Sequence, residues 1–312
     1  MNLAPIALFV YNRLGHTQKT IEALQKNELA RQSDLIIFSD GSKNNQDAQK
    51  VNAVRNFLQN MDGFRSVQLV VREKNFGLAK SIITGVTEIT GKYGKVIVLE
   101  DDLITSPYFL KYMNDALEKY EYDDKVISIH GYVYPVKQEL PETFFLRGAD
   151  CWGWATWKRG WDLFEVDSKK LFSQIKDEKL EYAFDIDGSY PFSQMLKMQI
   201  YGLNNSWAIR WRASAFLADK LTLYPGHSLV SNRGFDQSGT HGGFTEIFVT
   251  RYCVGSILLK DIDIKESKEV EQIIKAFFHS YKVWIIVKLI SIRNQVRLFV
   301  VKSKIILNLW QR

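Results

Sequence analysis

The sequence predicts an α/β protein with a mostly parallel sheet flanked by helices. Two observations carry this. Through its first 130 residues, short runs of β-branched and aliphatic residues alternate with stretches whose apolar residues recur at helical spacing. One of these runs, Val96-Ile97-Val98-Leu99, breaks abruptly into Glu100-Asp101-Asp102. A strand buried on both faces that ends in acids is what the open edge of a parallel sheet looks like in sequence, and ligands bind at that edge.

Each element follows in order. Pro5 to Tyr11 reads as a strand, and a helix follows from about Thr17 with Ile21, Leu24 and Leu29 on its apolar face. Asp34 to Ser39 is a second strand, ending in Asp40-Gly41. Asp47 to Met61 has Val51, Val54, Phe57, Leu58 and Met61 at helical spacing. Val67 to Val71 is a third strand, and Leu78, Ile82, Val86 and Ile89 mark the next helix. After the acids, Ser106-Pro107 signals a helix start, with the helix running through Tyr120. Val126 to Ile129 is a further strand.

From about Pro135 the alternation fails. Phe144 to Phe164 is rich in Trp and Gly, Leu171 to Ile200 reads as helical with a break near Asp187-Gly188, and Ser206 to Arg210 reads as a strand. The expected division is 1–135 as a first α/β half, 136–262 as a second half of the same domain, and 263–312 as a basic amphipathic helical tail. That tail mixes Phe277, Trp284, Leu289, Ile292 and Phe299 with Lys275, Lys288, Arg293 and Arg297, and no acid follows Glu271. Such a composition suits an anionic membrane interface, or a terminal helix docked on the core with its basic face in water.

Bulk composition sets limits. The chain has 312 residues, 46% of them hydrophobic, with a net charge of +6, which is ample for a packed core. The two cysteines, Cys151 and Cys253, imply no disulfide framework. The N-terminal apolar run has no basic region before it and reads as the first strand rather than a signal peptide. The positive charge lies among aliphatic residues at the C-terminus, which argues against nucleic-acid binding.

Three adjacent carboxylates are tolerable at a sheet edge if a cation shares them. Hard ions such as Mg²⁺ and Mn²⁺ prefer carboxylate oxygen and keep positions for substrate phosphates. In a parallel sheet, Asn12-Arg13 and Asp40-Gly41 share that edge. Arg13 could pair with phosphate, Asp40 could accept from a base N–H or a ribose hydroxyl, and Gly41 permits close approach. The sequence has no Gly-rich phosphate loop of either common kind, which argues against a P-loop or dinucleotide enzyme. His241 could touch a diphosphate, complete a metal shell or be structural. Arg210 could pair with phosphate or with a buried acid.

The segments Pro5 to Arg13, Phe38 to Gly41, Asn75 to Ala79 and Leu99 to Asp102 resemble the opening of GT-A-fold glycosyltransferases. The nearest group is that of bacterial family-2-like sugar transferases of surface polysaccharide synthesis, and Glu-Asp-Asp is also similar to the motif of N-acetylglucosaminyltransferase I. The resemblance continues through Gly148 to Trp157, Ser206 to Trp211, Leu223 to Gly226 and Asn232 to His241. It implies a GT-A-like fold with a Trp-rich acceptor-side half and a nucleotide-sugar donor, UDP-linked by resemblance. Mn²⁺ or Mg²⁺ would be the cofactor. The implied acceptor is a lipid-linked oligosaccharide of lipopolysaccharide or capsule synthesis, at the cytoplasmic face of the bacterial inner membrane.

By that resemblance Arg13 and Asp40 hold the nucleotide, with Asp40 on the base. Glu100 belongs to the acidic motif, Asp101 lies near the ribose, Asp102 is the direct metal ligand, and Asp150 and Trp152 lie beside donor sugar and acceptor. The Trp cluster suits sugar faces or core filling equally. Inverting transfer also needs a carboxylate base. Asp187 is the first candidate, then Asp185 and Asp150, and relatives carry an acid close to where this chain has Pro191. The alternatives are a sugar-1-phosphate nucleotidyltransferase, whose Gly-rich basic loop Tyr11 to Gly15 does not supply, and a non-catalytic carbohydrate-binding protein.

Overall fold

The computed structural model describes residues 2–236 and 246–310. The strands are β1 (Ile6–Val10), β2 (Asp34–Ser39), β3 (Ser66–Val71), β4 (Lys95–Glu100), β5 (Leu103–Thr105), β6 (Val126–His130), β7 (Thr143–Arg147), β8 (Trp154–Trp157), β9 (Leu221–Pro225) and β10 (Val230–Asn232). The α-helices of the first half are α1 (Leu14–Gln25), α2 (Asn45–Leu58), α3 (Leu78–Tyr93) and α4 (Phe109–Lys119). Those of the second half are α5 (Lys158–Trp161), α6 (Ser168–Asp177), α7 (Glu181–Phe184), α8 (Phe192–Ile200) and α9 (Trp207–Leu217), followed by α10 (Lys268–His279) and α11 (Tyr281–Trp310).

One sheet of eight strands runs β3-β2-β1-β4-β8-β6-β9-β7, and β5 and β10 form a separate antiparallel ribbon. The pairs β1–β2, β2–β3, β1–β4 and β6–β9 are parallel. The expected mostly parallel α/β sheet is therefore present. Sequence order did not reveal that β8 would come back antiparallel between β4 and β6, with Trp154 opposite both Val98 and His130. Both of its flanks are paired, which satisfies the backbone of a strand with all four residues buried.

Alternation along the central strands builds a core on each face. Ile6, Leu8 and Val10 of β1 join Leu35, Ile37, Ile97 and Leu99 under α1 and α4. Ala7 and Phe9 join Ile36, Phe38, Val96 and Val98 under α3 and α9. Trp154, Trp161, Trp207 and Trp211 pack in that second layer, all at most 5% exposed. Most of the Trp cluster is therefore core, with ring pairs such as Trp154–Trp207 at 5.4 Å.

The Ser206–Arg210 strand expected from sequence is a helix start instead. Ser206 caps α9, its hydroxyl accepting from the Ile209 N–H at 3.3 Å. Trp207, Ile209, Arg210, Trp211 and Phe216 are all buried, so apolar residues surround the helix and its 3.6-residue period is hidden. The tail is helical as expected. Its first helix, α10, buries Val270, Ile274 and Phe278 against Phe144 and Tyr224.

Candidate functional site

The C-terminal ends of β1, β2 and β4 lie side by side, which brings Arg13, Asp40 and the three acids to one edge. The helix after β1 starts earlier than its periodicity suggests. Its first turn closes when Thr17 donates to the Arg13 carbonyl at 3.0 Å, which puts Arg13 at the N-cap of α1. From there its guanidinium forks onto Asp101 and reaches Asp102 Oδ2 at 2.9 Å. The Thr20 hydroxyl donates to the Asp101 carbonyl at 2.8 Å, tying α1 to the end of β4.

Electrostatics at this edge are those of crowded anions. Burial first, and then Asp102 and Asp101, push the Glu100 carboxyl well above its ordinary range. Burial pulls the Arg13 guanidinium down, but Asp101 and Asp102 outweigh it and leave it above its ordinary value. One guanidinium pairs with two of these acids.

The donor set fits a hard divalent ion shared with a substrate. Arg13 takes Asp102 Oδ2, and among the described residues no hydrogen bond engages Oδ1. The loop after β10 closes over the same carboxylate: Arg233 donates its N–H to the Asp102 carbonyl at 2.8 Å. A Cβ built on Gly234 would lie 2.2 Å from Asp102 Oδ2, so only glycine fits there. Among the described residues no three His, Cys, Asp or Glu side chains form a cage by themselves. One carboxylate supplemented by diphosphate oxygens is the arrangement Mg²⁺ and Mn²⁺ accept.

Asp40 is more constrained than its sequence setting suggests. Its Oδ1 accepts from Gly41 and Phe76 N–H at 3.0 and 2.8 Å. Its Oδ2 accepts from the Gly77 N–H at 2.8 Å and from Asn75 Nδ2 at 3.2 Å. These four donors fill the capacity of a carboxylate. Asp40 thus clamps the β2 end to the loop that opens α3, and Asn75 Nδ2 also donates to the Gly41 carbonyl at 2.7 Å.

Trp152 is the half-buried member of its cluster, edge-on to Tyr132 at 4.7 Å and to Phe235 at 5.6 Å. Its N–H donates to His130 Nε2 at 3.1 Å, and burial keeps that imidazole below its ordinary pKa. Asp150 lies two residues earlier, half-buried, with Oδ1 accepting its neighbour's N–H at 2.9 Å. Between the two stands Cys151. Burial raises its thiol pKa, and the fields of Asp150, Glu100 and Asp102 raise it further. All three acids thus act on this one thiol.

Of the other candidates, Asp187 lines one cavity with Asp150, and Asp185, Asp187 and Arg210 each have partners of their own. Asp185 spans Ser193, accepting from its N–H at 2.6 Å and its hydroxyl at 2.7 Å, and so caps α8. Asp187, at a positive φ of 49°, pairs with Lys275 at 2.6 Å. Arg210 sits on α9 rather than a strand, and donates to the Ser206 and Val166 carbonyls and to Asn205. Its guanidinium makes no hydrogen bond to the acid cluster. His241 lies outside the described residues. Sequence reasoning gave no role to Cys151, Gly234 or His16, which meets Asp236 at 2.9 Å. Gly234 and Asp236 stood within a quoted motif, and the proximity of that motif to Asp102 was the missing signal.

Burial pushes Asp185 up to about 6, above the ordinary carboxylate range. A carboxyl raised on folding favours the native state below its unfolded pKa and loses that contribution as pH rises through the folded value. Native stability is thus expected to fall by about 2 kcal/mol between pH 4 and pH 6.5 through this group. Asp185→Asn should flatten that part of a urea-denaturation pH profile, and an unchanged slope would assign it to other groups.

Residues 6–175 match the family model described as glycosyl transferase family 2. No curated protein matches. Among solved structures the chain is similar to a mannosyltransferase from Pyrobaculum calidifontis, solved with GDP-Man and Mn²⁺, at 15% identity and TM-score 0.32, covering 42% of this chain and 36% of that one. It is similar to S. aureus TarS at 17% identity and TM-score 0.31, covering 46% of this chain and 24% of that one. A UDP-glucose pyrophosphorylase complexed with UDP-glucose aligns at 12% identity and TM-score 0.36, covering 72% of this chain and 90% of that one. The chain spans about a third and a quarter of the first two. It is the family match, which runs over more than half of the sequence and takes in β1, the acids and the Asp150–Trp157 segment, that assigns the chain to glycosyl transferase family 2.

Proposed function

We propose that the chain moves a sugar from a UDP-linked donor to a lipid-linked oligosaccharide in bacterial lipopolysaccharide or capsule synthesis, with inversion and with Mn²⁺ or Mg²⁺. The observation that carries this is the acid edge itself: Arg13 fixes one Asp102 oxygen, and the other takes no hydrogen bond from the described residues. A divalent ion held by Asp102 and the donor diphosphate would neutralise the leaving group's charge.

The chain's own groups supply the rest. The acceptor hydroxyl oxygen attacks the anomeric carbon as the bond from that carbon to the diphosphate breaks, and the hydroxyl proton passes to a carboxylate. Asp150 is assigned that role. Its side chain lines the cavity beside β7 and β9, and the Cys151 thiol next to it also feels Glu100 and Asp102. Asp185 and Asp187 are engaged by Ser193 and Lys275. The test is a panel of UDP-, GDP- and dTDP-sugars with Mn²⁺, read as donor hydrolysis and as thermal shift. Absence of both would overturn the reading.

The location proposed is the cytoplasmic face of the inner membrane, and α11 supports it. Val283, Val287, Asn294 and Leu298 form a buried stripe, and the helix contacts α8 and α10. Leu289, Ile292, Val296 and Phe299 form a second apolar stripe, between 56% and 72% exposed. At about 100° per residue the two stripes lie roughly opposite each other, with exposed Lys288 and Arg293 flanking the outer one. No helix among the described residues is long and apolar enough to cross a membrane. An apolar stripe flanked by cations suits the surface of an anionic bilayer. Leu289→Glu with Phe299→Glu is expected to lower co-sedimentation with phosphatidylglycerol vesicles about tenfold, at unchanged Tm. Equal sedimentation would count against it. Truncation after Glu271 is a poorer test, since it removes the buried Ile274 and Phe278.

A further inference from the structure

Beside Asp150 lies a cavity of about 340 Å³, lined by β7, β9, the turn after α7, α9 and α10. Asp150, Arg212, Tyr134 and Tyr224 contribute to its wall. Most charges around it are already matched. Asp187 pairs with Lys275 at 2.6 Å, Lys268 with Glu266 and Glu271 at 2.6 and 2.9 Å, and Arg147 with Asp219 at 3.1 Å. Arg212 enters none of these pairs. Its guanidinium stacks 3.9 Å from the Phe192 ring centroid, and its buried Nε has no hydrogen-bond partner among the described residues. Arg212 is half-buried, and its terminal nitrogens, which make no hydrogen bond or ion pair among the described residues, are the donors left for a ligand. The guanidinium fork matches the two oxygens of a carboxylate or a phosphate. The cavity volume is at the lower end of ligand pockets, and its mix of tyrosines with four acids, three of them paired with lysines, suits a sugar ring.

We propose that this cavity receives the acceptor saccharide and that Arg212 selects one bearing an oxyanion, either the carboxylate of an acidic sugar or a phosphate ester. The inference rests on the sugar-transfer reading above, with Asp150 at the boundary between donor and acceptor. An acceptor hydroxyl lies against Asp150 while the oxyanion sits on Arg212.

The test is direct binding by saturation-transfer NMR, with glucose, glucuronate and glucose 6-phosphate as probes. At least one charged sugar is expected to bind the wild type at least tenfold more tightly than glucose, and the better of the two identifies the oxyanion. Arg212→Gln should bring that ratio to within about twofold while UDP binding with Mn²⁺ stays unchanged. If that variant does not fold, Arg212→Lys decides in its place: it keeps the charge but loses the fork, and the preference should drop at least threefold. Equal binding of glucose and both charged sugars by the wild type overturns the proposal, and so does a preference that survives the substitution. Donor hydrolysis is read in parallel. Its absence from the wild type counts against the transferase reading, whereas loss of charge selectivity alone counts against the pocket.

Discussion

Asp102→Ala is expected to lower sugar transfer about a thousandfold while leaving the fold intact. The estimate takes roughly 4 kcal/mol as the share of transition-state stabilisation a metal ion gives to a departing diphosphate. Stability should hold or rise. The Asp102 side chain is 14% exposed and lies among Glu100 and Asp101, so removing it relieves like-charge repulsion. The measurement is a transfer assay with the donor found in the panel, alongside a thermal melt in the presence and absence of Mn²⁺. The wild type should gain Mn²⁺-dependent donor binding and the variant should not. Full activity in the variant would remove Asp102 from the site, and a melt that falls in step with activity would make its role structural.

Arg13→Met carries the largest expected stability effect, a loss of about 3–5 kcal/mol, because it strips the cation from a buried group of acids. Arg13 is itself 15% exposed and Asp101 only 6%, so water cannot replace the guanidinium cheaply. Adding Asp101→Asn to the variant should restore at least half of the loss, since it removes the carboxylate left unpaired. Mn²⁺ should raise the Tm of the single variant by more than it raises that of the wild type, by supplying the missing positive charge. Urea denaturation of the single and double variants measures this. A change below about 1 kcal/mol for Arg13→Met would mean that the ion pair is solvated and dispensable.

The two halves of the chain differ in how much of them the sequence reveals. In the first half each strand alternates residues between two cores, and each helix shows one apolar face. Period and burial agree there, so β1 to β4 and α1 to α4 are readable within a few residues. In the second half α9 is buried all round, so the signal that separates helix from strand is gone. Strand β8 is four residues long and takes its place from partners 56 and 24 residues earlier in register, Val98 and His130, which no local pattern encodes.

The same division governs the site. The acids, Arg13 and Asp40 are adjacent in space because parallel strands end on one edge, which the alternation of elements already implies. What each of them does there depends on partners far along the chain. Asp40 is filled by donors from Asn75 to Gly77, Asp102 is closed in by Gly234, and Asp185 turns to Ser193. A carboxylate's role is set by which donors occupy its lone pairs, and those donors come from tertiary packing.

By itself, then, the sequence determined the α/β class, the acid edge at the end of β4 and the basic, amphipathic tail. These follow from periodicity and composition, which act over a few residues. Tertiary structure alone decided that β8 divides β4 from β6 and that most of the tryptophans are core. It also decided that Asp150 and Asp187 line one cavity, and that α11 turns a second apolar stripe to solvent. Each of these depends on long-range contacts, whose energies come from burial and hydrogen bonding between segments that the linear order keeps apart.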